Sequence, residues 1–176
     1  GRFITVQTVP GKTKVGVIHP AGSEAVLAEG FAGRPNDLVV NKAGGVYFTV
    51  PGPSVAPGTP PPPGPFATAV YYIPPGDEAT IVAEGIENPN GIQLSRNEKT
   101  LFVNNTRGEY LLAFDIQPGG SLKNRRNFAK YEGTTRDASG ATVSGADGMA
   151  IDSAGRIYAA TAAGVVAKEK SRTTFF

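Results

Sequence analysis

One pattern occurs three times in this chain and constrains its fold more than any other feature. Each copy has an Asn or Asp, an apolar run, a cluster of turn-forming polar and Gly residues, and a second apolar run. The copies read NDLVVNKAGGVYFT at 36–49, NGIQLSRNEKTLFVNN at 90–105 and DGMAIDSAGRIYAAT at 147–161, and they begin 54 and 57 residues apart. Self-similarity at roughly 40–50 residues, lengthened by loop insertions, is typical of the blades of a β-propeller.

The runs between the copies predict the remaining strands of each blade. Helical periodicity is nearly absent, while short Val, Ile, Tyr and Phe runs bounded by Gly, Pro, Asn and Asp recur along the chain. This pattern indicates an all-β protein. We expect third strands at 13–18, 68–73 and 109–116 and fourth strands at 24–30, 78–85 and 124–133. The sequence therefore predicts four-stranded antiparallel blades.

The two ends of the sequence do not match whole blades. GRFITV at 1–6 resembles the second strand of a repeat, and a third strand is expected to begin at Gly164 before the charged stretch 168–172 interrupts it. We count about three and a half blades in one domain, 1–176, whereas closed propellers need at least about four. We expect a fragment, a truncated homologue, or half of a ring that a homodimer completes by covering unpaired strand edges.

A proline-rich segment, PGPSVAPGTPPPPGP at 51–65, is inserted between the second and third strands of one blade. Its composition favours an extended polyproline-type loop with few internal hydrogen bonds. Three interpretations stay open, namely a solvated spacer, a ligand for an SH3 or WW domain, and a rim over the mouth of the ring.

Composition excludes several classes of function. The chain has no Cys and one His among 176 residues, which excludes thiolate and His-rich metal sites. The net charge of +2 is scattered, so no nucleic-acid partner is expected, and no apolar run is long enough for a membrane helix. No G-x-S-x-G, nucleotide-binding Gly loop or HExxH is present. The sequence leaves the cellular compartment open.

Asn36, Asn90 and Asp147 occupy one equivalent place, immediately before the first strand of three successive repeats. In a radial repeat such positions lie on one face and converge toward the axis. Oxygen donors without sulfur or imidazole suit a hard divalent cation, calcium or magnesium first and manganese or zinc less readily. The alternative is structural, because Asn and Asp before strands commonly form Asx-turns.

Several ordered motifs together resemble the senescence-marker-protein/gluconolactonase/regucalcin family. They are GRPND followed by LVV and GVYFTVPGP in 33–53, NPNG followed by LSRNEKTLFV in 88–103, ADGM at 146–149, and LLAFDIQPGGSLKNRRNFA at 111–129. The resemblance extends over residues 1–166. It implies a six-bladed β-propeller that hydrolyses lactones or related esters with one divalent metal ion on the axis.

The resemblance also implies roles for individual residues. Asn90 and Asp147 match metal ligands, and Asp147 also matches a general base. Arg34 and Asn36 match residues that contact the substrate or a metal-bound water, while Asp37 matches a turn residue or one that supports the ligands. The partner so implied is a small-molecule lactone or ester.

The sequence departs from the family pattern at three places. A Glu ligand is expected in a segment before the equivalent of Gly1, Val50 stands where Asp is frequent, and Asn105 replaces another frequent Asp. Two hypotheses follow. The chain is a lactonase that is active when its ring is complete, or it is a non-catalytic binding propeller or inactive fragment that lacks the charged Glu ligand.

Overall fold

The computed structural model describes residues 1–9, 12–31, 33–52, 68–168 and 173–175, and these residues form strands and turns. They also include one 3-10 turn, Pro118–Gly120. The strands are β1 (Phe3–Val9), β2 (Lys12–His19), β3 (Ala25–Glu29), β4 (Leu38–Val40), β5 (Val46–Val50), β6 (Ala69–Ile73), β7 (Thr80–Glu84), β8 (Pro89–Leu94), β9 (Thr100–Asn105), β10 (Tyr110–Ile116), β11 (Leu122–Lys130), β12 (Thr135–Arg136), β13 (Thr142–Val143), β14 (Met149–Ile151), β15 (Ile157–Thr161), β16 (Gly164–Lys168) and β17 (Thr173–Phe175).

Four antiparallel sheets of three or four strands follow one another along the described part of the chain. Blade 1 consists of β1–β3, blade 2 of β4–β7, blade 3 of β8–β11 and blade 4 of β14–β17, and each strand pairs with the next in sequence. A short hairpin, β12–β13, lies between blades 3 and 4 in the chain. The sheets do not close into a ring. The prediction of an all-β fold with four-stranded antiparallel blades of a partial propeller is confirmed.

Blade 4 extends further than the sequence predicted. The strand expected at Gly164 forms as β16, and β17 then pairs with it antiparallel, with Val166 opposite Phe175. Backbone groups make this pairing, so loss of hydrophobic alternation does not prevent it.

Of the proline-rich segment 51–65, only residues 51 and 52 lie within the described ranges.

The apolar core consists of layers between neighbouring blades. Tyr47 and Tyr72 stack with ring centroids 4.3 Å apart in the cluster that joins blades 2 and 3. Phe48 and Tyr71 stack at 5.0 Å in the cluster between blades 1 and 2. The adjacent Tyr71 and Tyr72 therefore pack into different layers, because a blade between two others packs both of its faces.

The polar clusters inside the three repeats are hairpin turns. The amides of Gly44, Glu98 and Gly155 donate to carbonyls three residues earlier, at 2.9, 2.8 and 3.1 Å, and each of the three residues has a positive φ. These turns join the first and second strands of blades 2, 3 and 4. At the opposite end, Asn36 and Asp147 precede the first strands of blades 2 and 4, whereas Asn90 lies within the first strand of blade 3, as the second residue of β8. No helix in the described ranges is long and apolar enough to cross a bilayer.

Candidate functional site

Hydrogen bonds between blades bring the starts of the three first strands together. The amide of Asn36 donates to the Thr49 carbonyl at 2.8 Å, and the Thr49 hydroxyl donates to the Asn90 carbonyl at 2.7 Å. The amide of Gly91 then donates to the Asp147 carbonyl at 3.2 Å. A chain of polar contacts therefore runs from blade 2 through blade 3 to blade 4 past all three equivalent positions.

Asn90 has a buried acceptor without a partner. Its Nδ2 donates to the Thr106 hydroxyl at 3.2 Å, whereas its Oδ1 is buried and has no hydrogen-bond partner among the described residues. An unsatisfied buried acceptor costs about 1–3 kcal/mol. Such an atom in a native fold calls for an explanation, and a bound ion is one of the standard ones.

Asp147 combines a fixed backbone with an available carboxylate. Its amide donates to the Ala160 carbonyl at 2.9 Å, and its own carbonyl accepts from Gly91 and from Nδ2 of the buried Asn104. The residue is exposed. Within the described ranges no hydrogen bond or ion pair engages its carboxylate. This negative charge is therefore free to bind a ligand.

Arg34 and Asn36 are both exposed, and their side chains make no hydrogen bond within the part of the chain that the structure describes. Asn36 is held in place through its backbone by Thr49. The structure thus brings Asn36 to the same end of the strands as Asn90 and Asp147, whereas no described contact joins Arg34 to either of them.

Asp37 connects two blades. Its Oδ1 accepts from the Leu38 amide at 2.9 Å, and its Oδ2 accepts from the Ile92 amide in blade 3 at 3.1 Å. Burial raises the pKa of Asp37, the two amide hydrogen bonds partly offset this, and the nearby negative charge of Asp147 raises the pKa further. Asp37 therefore links the beginning of the first strand of blade 2 to the first strand of blade 3.

Two of the three departures from the family pattern, Val50 and Asn105, have structural roles. Val50 is fully buried and packs so closely on Gly33 that a Cβ there would lie 2.7 Å from Val50 Cγ1. The Asn105 side chain is also buried, accepting from the Asn88 amide at 3.1 Å and donating to Glu87. Neither side chain is therefore available as a metal ligand.

A polar network behind the candidate ligands was missed at the level of sequence. The buried Tyr131 hydroxyl donates to Asn104 Oδ1, and the Thr106 hydroxyl donates to the Ala146 carbonyl at 2.6 Å. Asn104 and Thr106 lie at and just beyond the end of β9, which is paired with the strand carrying Asn90. Their position in the repeat, beside the strand that carries Asn90, is the sequence signal from which this network could have been predicted.

A family comparison fits this arrangement of blades. The model of the SMP-30/Gluconolactonase/LRE-like region matches residues 12–171. This chain belongs to that family. Its membership confirms the resemblance that the motifs indicated.

Members of the SMP-30/gluconolactonase family are among the similar proteins. A gluconolactonase of Zymomonas mobilis is 27% identical over 164 residues, 80% of this chain and 41% of the relative. A solved gluconolactonase from Xanthomonas campestris is 26% identical with a TM-score of 0.69, covering 90% of this chain and 55% of the other. Regucalcin of Agrobacterium tumefaciens, a calcium-binding protein, is similar in fold at 17% identity and a TM-score of 0.66, covering 97% and 57%. The chain thus spans about half the length of these relatives.

The two candidate ligands in this family member provide only part of the coordination shell of a hard cation. Asn90 Oδ1 and the Asp147 carboxylate are one neutral and one charged oxygen donor, and hard cations complete their coordination with water. No cluster of three His, Asp or Glu side chains occurs among the described residues. Two cavities of about 490 and 500 Å³ lie elsewhere, and neither is lined by Arg34, Asn36, Asn90 or Asp147. The first cavity has carboxylate and amide side chains of its own, including Glu87 and Asn105, but the three equivalent positions of the repeats lie outside both cavities.

Proposed function

We propose that this chain carries part of the active site of a metal-dependent lactonase that opens a sugar lactone or related ester. One observation carries the proposal. Asn90 Oδ1 is a buried acceptor without a hydrogen-bond partner among the described residues, and the amide of the next residue, Gly91, donates to the Asp147 carbonyl. The family membership and the similarity to two gluconolactonases support it. Asn90 and Asp147 would hold one divalent cation, calcium first, with magnesium, manganese and zinc as alternatives.

A divalent cation in such a site polarises an ester carbonyl and favours the developing oxyanion. The Asp147 carboxylate, which is exposed and makes no hydrogen bond among the described residues, would accept a proton from the attacking water. Arg34 offers a planar fork of donors for a substrate hydroxyl or carboxylate. Asn36 offers an amide that can donate and accept at the same end of the strands.

Completion of the ring is part of the same proposal. β1 is an edge strand of the three-stranded blade 1, and Phe3 on it is 65% exposed. Exposed edges with apolar side chains favour pairing with a further strand. A second copy of this chain is one source of the missing blades, and native mass spectrometry of the cation-supplemented chain would detect that dimer together with any bound metal.

Hydrolysis of a panel of sugar lactones, followed by acid release, tests the activity. We expect turnover that chelation abolishes and that calcium or another divalent cation restores. Asp147→Asn should remove both cation binding and turnover, whereas Asp77→Asn, a matched change at an exposed turn in blade 2, should leave both unchanged. Turnover that survives chelation, or that survives in Asp147→Asn, would contradict the proposed site.

A non-catalytic binding propeller is the second candidate. The buried Val50 and the fully engaged Asn105 amide favour it, because both replace carboxylates that are frequent in the family. Cation binding without hydrolysis of any lactone in the panel would support this alternative. An assembled dimer that turns over lactone would exclude it.

A further inference from the structure

Thr106 lies between the segments that carry the two proposed cation ligands and is bonded to both through its backbone. Its amide donates to the Asn88 carbonyl at 3.0 Å, two residues before the first ligand. Its carbonyl accepts from the amides of Ser144 and Gly145 at 3.0 and 3.3 Å, shortly before the second. The position of Thr106 is therefore fixed relative to both blades 3 and 4.

The Thr106 hydroxyl determines the orientation of the Asn90 amide. A hydroxyl has one hydrogen to donate and lone pairs that accept. The hydrogen goes to the Ala146 carbonyl at 2.6 Å, because a carbonyl oxygen can only accept. Toward Asn90, at 3.2 Å, the hydroxyl then offers only a lone pair, so the Asn90 group that faces it must be the Nδ2 donor.

This assignment forces Asn90 Oδ1 to the side away from Thr106, where it is buried without a partner. We propose that Thr106 is a positioning residue for the cation, whose hydroxyl presents Asn90 Oδ1 as a ligand and ties it to the carbonyl that precedes Asp147. The inference rests on the proposed metal site and adds to it a residue that does not touch the metal. Without the hydroxyl, the Asn90 amide can turn, and Oδ1 is presented only part of the time.

Titration calorimetry on the purified chain with calcium, magnesium, manganese and zinc chlorides tests the inference. Outer partners that orient metal ligands typically contribute 10–100-fold to affinity. We expect Thr106→Val, which keeps the shape and loses the hydroxyl, to raise the Kd of the bound cation about tenfold or more. Thr106→Ser should stay within about threefold of the wild type, since it restores the hydroxyl. Thr80→Val on the exposed outer strand of blade 2 is the matched control and should leave the Kd unchanged.

A second readout needs no metal. In a ¹⁵N-correlated spectrum of the cation-free protein, the two Asn90 side-chain amide protons should keep their shifts in Thr106→Ser and move in Thr106→Val. Should Thr106→Val fail to fold, Thr106→Ala takes its place in both experiments. A purely structural role would lower the unfolding temperature without changing cation affinity in the folded protein.

Failure of the Thr106 inference and failure of the proposed metal site give different results. A folded Thr106→Val or Thr106→Ala protein that binds the cation with wild-type Kd overturns the inference and leaves the site intact. A wild-type chain that binds none of the four cations overturns the proposed site and the inference with it. A raised Kd that Thr106→Ser rescues supports both.

Discussion

Replacement of Tyr131 by Phe tests the network behind the candidate site. Tyr131 is 2% exposed and Asn104 is fully buried, and the phenol donates to Asn104 Oδ1. The Phe ring fills the same space, so the change removes a donor without creating a large cavity. It leaves Asn104 Oδ1 buried and unsatisfied, which costs about 1–3 kcal/mol. For a chain of this length each kcal/mol lowers Tm by roughly 2–4 °C.

Urea unfolding followed by fluorescence or circular dichroism gives the change in the free energy of unfolding, provided that the m-value is unchanged. Tyr110→Phe is the matched control, since the Tyr110 hydroxyl has no hydrogen bond among the described residues and the residue is partly exposed. Its effect should stay within about 0.5 kcal/mol.

A double-mutant cycle separates the hydrogen bond from other effects. In an Asn104→Ala background the acceptor is gone, so Tyr131→Phe should cost much less than it does in the wild type. The reasoning is refuted if Tyr131→Phe and Tyr110→Phe have equal effects, or if Tyr131→Phe costs the same in both backgrounds.

Three further predictions concern packing and pH. Gly120→Ala should destabilise the fold by about 2 kcal/mol or more in urea unfolding, because the new Cβ would overlap the Tyr72 ring at a φ of +89°. Burial raises the pKa of Tyr131 and of Tyr47, so stability should fall as the pH rises above about 10, by about 1.4 kcal/mol per pH unit for each group. The phenolate absorbance of these two residues, measured as the difference from their Phe variants, should appear only with unfolding. Partial burial disfavours ionised Asp152, but hydrogen bonds from Arg156 and Tyr158 outweigh it and lower its pKa to about 2. Stability should fall as the pH drops from about 4 toward 2, and Asp152→Asn should reduce that dependence in acid titrations.

The β-propeller architecture was predictable because the chain repeats its own pattern. Apolar runs and turn clusters at one spacing define strands whose order in each sheet follows the chain, as β8–β11 do. The hairpin β12–β13 was not predicted, although Asp137 begins a turn like the one at Asp152, with its carboxylate accepting from the Ser139 and Ala141 amides. Its strands are only two residues long, too short to produce a visible alternation.

The equivalence of Asn36, Asn90 and Asp147 was also readable from the repeat. The differences between them were not. Asn90 Oδ1 is orphaned because of Thr106, a residue 16 positions away whose hydroxyl is committed to another blade. To assign the donor and the acceptor in these hydrogen bonds, one must know which residues of neighbouring blades face each other. No local sequence pattern gives that information. For the same reason the sequence could not predict that Asp37 reaches Ile92.

The bond from Asp37 to the Ile92 amide makes that amide a reporter of motion between blades. An amide paired within its own sheet exchanges its hydrogen with solvent when the strands separate. The Ile92 amide is instead covered by a carboxylate of the preceding blade, so a rigid tilt of blade 2 away from blade 3 exposes it while both sheets stay intact. Its exchange rate therefore measures how stiffly the blades are joined at the end where the candidate ligands lie.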